Sequence, residues 1–245
     1  MKERVLSMRA MRALVVTCAV LAALPSVAQA DLELIGPTPA DSFVDLGAQG
    51  FGNAPRMLTL QTTGTETGSV TPIDVVHDNA VAGSNKSTTP TLGTLGWATG
   101  ADVGIGFNSD QTGGNGITLQ SLVLTIYDGT TAVGSFSLAA PVVFTAADLA
   151  LQQGNGQAVF NFHLTLAQQA QFDALGVSSG FFAGLASTLS GADDGPDTFV
   201  GFAQEGQTVV PEPSALLLAG TALLGVGYSL RHRISRRTRG QLASS

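Results

Sequence analysis

Three aspartates in one short loop are the residues of this chain best suited to bind a metal ion. Asp193, Asp194 and Asp197 lie in the run Ser-Gly-Ala-Asp-Asp-Gly-Pro-Asp. Hard cations such as Ca²⁺ take several carboxylate oxygens at about 2.4 Å, and a tight loop can bring such oxygens together. Asp, Gly and Pro are also common turn residues, so a solvated turn is the alternative interpretation. The sequence indicates Ca²⁺ at this loop as a hypothesis, and it indicates no other cofactor.

A second polar loop, Asn108 to Gly113, resembles the opening of an EF-hand calcium loop. Oxygen-bearing side chains occupy the alternate positions that supply calcium ligands in an EF-hand, and a glycine stands in the sixth position. The twelfth position of such a loop requires a bidentate Glu, and Leu119 stands there instead. The match therefore fails, and we interpret the segment as an ordinary loop.

Few residues are available for catalysis. His77 is followed by Asp78, which could orient an imidazole, and His163 alternates with phenylalanines in a predicted strand. A serine hydrolase would also need a Gly-x-Ser-x-Gly nucleophile elbow, which the sequence lacks. The single cysteine, Cys18, lies near the N-terminus and leaves no thiol in the rest of the chain. We therefore predict that the protein is not an enzyme.

Trp97 is a candidate for carbohydrate binding, which uses exposed aromatic rings together with carboxylates and amides. The alternative is a position in the core. We favour the core because aromatic side chains contribute much of the apolar area that protein interiors bury.

The elements that would carry these residues are mainly strands. Apolar and polar side chains alternate between Ile117 and Tyr127, which predicts a half-buried strand. The pair Asp128-Gly129 then gives a hairpin-turn signal, and Thr131 to Leu138 is predicted to return as the partner strand. Further strands are predicted at Arg56 to Gln61, Val70 to Val76, Val103 to Phe107, Gln157 to His163, Gly180 to Leu189 and Thr198 to Phe202.

One helix is clearly signalled. Thr165 is an N-cap candidate with Gln168 three residues on, and Gly176 can close the C-terminus. A shorter helical turn is predicted from Thr145 to Gln152. Many short strands with one or two short helices indicate a mainly β fold, a β-sandwich of jelly-roll type.

The N-terminus has the pattern of a secretory signal peptide. Basic residues precede an apolar stretch, Ala13 to Val27, and Ala28-Gln29-Ala30 gives signal peptidase its small-x-small pattern. We predict cleavage after Ala30, so that residues 1–30 are the signal peptide.

The C-terminus has three consecutive features. Pro211-Glu212-Pro213 precedes an uncharged, largely apolar segment, Ser214 to Leu230. At about 1.5 Å rise per residue this segment nearly matches a hydrocarbon core of about 30 Å, so we predict a single transmembrane helix. A basic cluster after the segment places the tail in the cytoplasm by the positive-inside rule. Its members are Arg231, Arg233, Arg236, Arg237 and Arg239.

Together these three features resemble the PEP-CTERM sorting tail of Gram-negative bacteria. The resemblance covers residues 210–239 and leaves residues 240–245 as an extension. It implies export and an intermediate anchored in the inner membrane. It also implies that an exosortase, an integral-membrane protease, recognises Pro211, Glu212 and Pro213. The destination it implies is the cell surface or the extracellular matrix.

Residues 31–209 form the predicted ectodomain, which is strongly acidic. Sixteen acidic residues face only two basic ones, Arg56 and Lys86, which gives a formal net charge of −14. Such a domain repels nucleic acid, because binding to nucleic acid depends on Lys and Arg neutralising phosphates. We predict an exported surface or matrix protein without catalytic activity. The alternative is an extracellular carbohydrate-binding module assisted by calcium.

Overall fold

In a computed structural model of the chain, residues 32–46, 54–111, 115–152, 158–193 and 195–204 are described. The chain divides into two units, Met1–Glu205 and Gly206–Ser245, and all described residues belong to the first. This part of the chain is mainly β, as the sequence predicts. The strands are β1 (Leu32–Leu34), β2 (Phe43–Asp45), β3 (Arg56–Leu60), β4 (Gly64–Thr71), β5 (Val75–Asp78), β6 (Val103–Asn108), β7 (Ile117–Asp128), β8 (Thr131–Ser137), β9 (Val142–Phe144), β10 (Ala158–Leu164), β11 (Phe182–Ala192) and β12 (Asp197–Ala203). The helices are α1 (Leu92–Leu95), α2 (Ala146–Leu149) and α3 (Leu166–Ala174).

The strands form two antiparallel sheets with six strands in each. Sheet A has the order β1-β10-β6-β12-β3, and β2 also pairs with β10. Sheet B has the order β5-β4-β11-β7-β8, and β9 also pairs with β7. Consecutive strands β3 and β4 belong to different sheets, so the chain crosses from one sheet to the other between Leu60 and Gly64.

One buried apolar cluster contains residues of both sheets. The inward positions alternate along β7, where Leu122, Leu124 and Ile126 are all fully buried. Phenylalanine rings link the sheets: the centroid of Phe107 in sheet A lies 5.2 Å from that of Phe144 in sheet B. It also lies 4.9 Å from that of Phe199, which belongs to sheet A as well. Ring pairs at this spacing add to the stability that burial of their area provides.

The clearest local signals of the sequence are confirmed. Strand β7 ends at Asp128, Gly129 takes a φ of +59°, and β8 returns antiparallel to β7. Helix α3 begins after Thr165, whose hydroxyl accepts the N–H of Gln168 at 3.4 Å. It is followed by Gly176 with a φ of +62°. The predicted turn from Thr145 to Gln152 is also present, as α2 and a 3-10 turn, Ala150–Gln152.

The prediction of one continuous strand from Val70 to Val76 is wrong. Strand β4 ends at Thr71 and β5 begins at Val75, with a tight turn between them. Ile73 and Asp74 take φ values of +69° and +54°, which lie outside the extended region that a regular strand requires. Apolar residues on both sides of the turn give the sequence the pattern of one continuous strand. The other predicted strands are confirmed with ends shifted by a few residues, whereas β1, β2, β9 and α1 were not predicted.

Residues 81–89 form a covering segment along the free edge of β3. The Val81 N–H donates to the Thr59 carbonyl at 2.8 Å, and the Thr88 N–H donates to the Met57 carbonyl at 3.3 Å. Side chains add to this contact, since the Ser87 hydroxyl accepts the Thr59 N–H at 3.0 Å. Arg56 donates from Nη1 to the Asn85 carbonyl at 2.8 Å. The edge of sheet A is therefore occupied and closed to another strand.

Candidate functional site

Two fully buried carboxyl groups meet where the two sheets face each other. Glu66 lies on β4 of sheet B, and Asp197 is the first residue of β12 in sheet A. Both have an exposed fraction of 0%. The alternation along β4 turns Glu66 inward together with Gly68 and Val70, which are also buried. This pair is the most unusual chemical feature of the described residues, because carboxyl groups are seldom fully buried.

Few donors reach this carboxyl pair. The Thr62 N–H donates a short hydrogen bond to Glu66 Oε1. Glu66 Oε2 and both Asp197 Oδ atoms are buried without a well-formed hydrogen bond. The Ser109 hydroxyl and the Asp110 N–H lie close enough to lower the pKa of Asp197, and the two carboxyl groups are within hydrogen-bonding reach of each other. Two carboxyl groups can form a hydrogen bond only if one of them holds a proton.

Burial dominates the electrostatics of this pair. Desolvation raises the pKa of Asp197 to about 8, and the nearby charge of Glu66 adds to the rise, while Ser109 and the Asp110 N–H oppose it. Desolvation also raises the pKa of Glu66, against the opposing effect of the Thr62 N–H. The bond between the two raises the pKa of Asp197 and lowers that of Glu66, so Asp197 holds the proton more firmly. Without a cation, the pair therefore holds a proton at neutral pH, mainly on Asp197.

The structure brings together the two polar loops that the sequence singles out. The Asp193 N–H donates to Gln111 Oε1 at 3.2 Å, and Asn115 Nδ2 donates to Asp193 Oδ2 at 3.1 Å. Gly195 lies so close to Asp110 that a methyl group on its Cα would overlap with Asp110. The three predicted calcium ligands thus have different surroundings. Asp193 bonds to the neighbouring loop, Asp197 points to Glu66, and Asp194 lies outside the described residues.

No three His, Cys, Asp or Glu side chains of the described ranges are grouped as metal ligands. The hypothesis of a calcium site in the Asp193–Asp197 loop stays a prediction, because Asp194 is outside those ranges. Sequence reasoning missed Glu66 entirely. The signal that could have found it is the alternation of Glu66, Gly68 and Val70, which predicts one shared face.

Neither His77 nor His163 affects the pKa of either carboxyl group of the buried pair. His77 is exposed on β5, next to Asp78 with its φ of +56°. His163 lies on β10, and its Nε2 is 3.4 Å from Glu33 Oε1. Burial lowers the pKa of His163 despite this contact. Glu33 does not offset the effect of burial, because it is 43% exposed and solvent screens its charge. The contact is therefore a weak one in neutral solution.

Trp97 belongs to the core, as the sequence analysis favoured. Its side chain is 2% exposed, and Nε1 donates to the Phe202 carbonyl at 2.8 Å. A ring in this position cannot stack on a sugar. Binding of carbohydrate elsewhere on the protein stays a prediction.

The predicted targeting features lie outside the described residues. They are the cleavage site Ala28 and Ala30, the motif Pro211, Glu212 and Pro213, the apolar segment and the basic cluster. Among the residues that are described, the helices are all too short to cross a membrane.

Comparison with known proteins identifies the C-terminal feature. The family model of the PEP-CTERM protein-sorting motif matches residues 209–233. No curated protein and no solved structure matches the chain. The motif confirms the resemblance on which the sequence analysis relied. It implies an exported protein with a membrane-anchored intermediate that an exosortase processes.

Proposed function

We propose that this protein is an exported component of the cell surface or extracellular matrix that has no catalytic activity of its own. The observation that carries the proposal is the PEP-CTERM sorting motif at residues 209–233. A sorting motif determines where a protein is delivered, so the ectodomain acts outside the inner membrane. Its role there is structural or adhesive, performed by an acidic scaffold of two sheets that form a β-sandwich of jelly-roll type.

The order of processing follows from the sequence. Signal peptidase cleaves after Ala30, and the apolar segment Ser214 to Leu230 then holds the exported chain in the inner membrane. The basic cluster that begins at Arg231 keeps the tail in the cytoplasm. Two prolines hold the Pro-Glu-Pro motif extended and prevent it from joining the helix, so an exosortase can reach it. Processing there releases the ectodomain from its anchor.

The charge of the ectodomain supports a role among uncharged or cationic partners. Its formal net charge of −14 repels anionic lipid and nucleic acid. The same charge keeps a secreted scaffold soluble until it meets its partner. Extracellular polysaccharide is the partner class that the location suggests.

The test replaces Pro211, Glu212 and Pro213 together with alanine. Wild type and variant are expressed in a bacterium that encodes an exosortase and in its exosortase-deletion derivative. We expect the wild type to be released from the inner membrane with its tail removed, as intact-mass measurement would show. The variant should remain in the inner membrane with its C-terminal tail intact in both hosts, as the wild type should in the deletion host.

The matched control is Glu205→Ala, which removes one acidic residue upstream of the motif. It should be processed like the wild type. Release of the motif variant at wild-type levels, or release of the wild type from the deletion host, would refute the proposal.

A further inference from the structure

We propose that Glu66, Asp197 and Ser109 form a calcium-binding site between the two sheets. Four oxygen atoms of these side chains are buried without a well-formed hydrogen bond: Glu66 Oε2, both Asp197 Oδ atoms and Ser109 Oγ. Buried polar atoms in folded proteins nearly always have well-formed hydrogen bonds, so four such oxygens in one place need an explanation. A hard cation satisfies all of them at once, because Ca²⁺ binds carboxylate, hydroxyl and carbonyl oxygens.

Ser109 supports the proposal independently of the acidic residues. Its side chain is 8% exposed, and it lies within hydrogen-bonding reach of Asp197. Its backbone is held in place because the Ser109 N–H donates to Gln152 Oε1 at 3.0 Å. Gln152 is itself fixed by the bond from its Nε2 to the Phe107 carbonyl at 2.8 Å. A neutral hydroxyl is thus held within reach of the Asp197 carboxyl group.

Charge balance also favours a cation. Two ionised carboxylates carry two negative charges, which one Ca²⁺ neutralises. The described part of the chain has two cationic side chains, Arg56 and Lys86, and neither contributes to the pKa of Glu66 or Asp197. Burying carboxylates without a counter-charge is strongly unfavourable. A bound cation supplies the counter-charge that the chain does not.

Calcium would need further ligands beyond these side chains. Ca²⁺ takes six to eight oxygens, and these side chains supply about four, since Glu66 Oε1 already accepts the Thr62 N–H. Backbone carbonyls of the adjoining loop and water can complete the set. Asp110, next to Ser109, is exposed to solvent. Calcium bound here would join β4 of sheet B to β12 of sheet A.

The experiment uses the full chain in a mild detergent, stripped of metal with a chelator and then dialysed. CaCl₂ is titrated into the protein by calorimetry at about pH 8.5, where carboxyl groups of this kind are largely ionised. We expect saturable binding of one Ca²⁺ with a Kd on the order of 10⁻⁴ M, the range of extracellular calcium modules. Calcium at about one hundred times Kd should raise the Tm by roughly 5–10 °C.

Two isosteric variants locate the site. Glu66→Gln and Asp197→Asn should each weaken calcium binding at least about tenfold, because each removes a charged ligand. Ser109→Ala, a smaller change, should weaken binding less. Asp128→Asn removes an exposed acidic residue in the hairpin and should bind calcium like the wild type.

Two results would overturn the proposal. The first is no saturable binding by the wild type at about 10 mM Ca²⁺, well above the expected Kd. The carboxyl pair would then hold a shared proton instead of a cation. The second is calcium binding that survives in both Glu66→Gln and Asp197→Asn but is lost in Asp193→Asn. That pattern would place the ion in the acidic loop.

Discussion

Replacing Asp197 with Asn should reduce the pH dependence that the buried carboxyl pair gives to the stability of the metal-free protein. Burial raises the pKa of Asp197 from its ordinary value of 3.8 to about 8. The folded chain therefore keeps a proton on Asp197 that the unfolded chain releases above about pH 4. Because the folded state binds more protons between these two values, the free energy of unfolding falls as the pH rises from about 4 to about 8. It should level off at higher pH.

The magnitude follows from the size of the pKa shift. The two pKa values differ by about four units at about 1.4 kcal/mol each, so the largest possible loss is about 6 kcal/mol. Relaxation of the site and entry of water reduce this cost, and Glu66 shares part of it. We expect the wild type to lose roughly 2–4 kcal/mol between pH 5 and pH 8. The Asp197→Asn variant has no such proton to lose, so its curve should be flatter and it should be the more stable protein at pH 8.

The measurement is urea unfolding of the full chain in a non-ionic detergent with excess chelator, followed by the emission of Trp97. Wild type, Asp197→Asn and the control Asp128→Asn are compared at several pH values from about 4 to 9. The control should follow the wild type. Parallel curves for Asp197→Asn and wild type would show that Asp197 ionises freely in the folded protein, and the reasoning about its burial would then be refuted.

Two further predictions concern the core. Phe107→Ala should lower the free energy of unfolding by about 3–5 kcal/mol, because it empties a fully buried site in contact with the rings of Phe144 and Phe199. The control Val143→Ala, at a 60% exposed position, should change the free energy of unfolding little. Urea unfolding measures both, and equal losses would contradict the assigned core. Trp97 should emit at the short wavelengths of a buried indole and resist quenching by acrylamide until the protein unfolds, since it is 2% exposed. Quenching as efficient as that of a free indole would place Trp97 on the surface instead.

Local signals decided which parts of the fold could be predicted from the sequence. The β7–β8 hairpin was correct because alternation and the Asp128-Gly129 turn lie in one continuous segment. Helix α3 was correct because its cap, Thr165, and its terminating residue, Gly176, are adjacent to it. The turn after Thr71 was missed because the apolar residues around it hide a change of backbone conformation at Ile73.

The candidate site was beyond sequence reasoning for a different reason. Glu66 and Asp197 are far apart in the chain and meet only because β4 and β12 belong to facing sheets. Strand order and register cannot be read from one sequence, so nothing linked the two residues. The sorting motif shows the opposite case. Its residues are consecutive, and the match to residues 209–233 needed no fold to be recognised.

The covering segment on β3 also limits the access of trypsin-like proteases to the ectodomain. Between Ala30 and Pro211, trypsin-like enzymes have only Arg56 and Lys86 to recognise. Both lie at this one edge, and the residues that follow them, Met57 and Ser87, are fully buried. A protease must bind an extended peptide on both sides of the bond it cuts, and the hydrogen bonds between β3 and residues 81–89 prevent that. We therefore expect the folded ectodomain to resist digestion at these two tryptic bonds, which suits an exported protein.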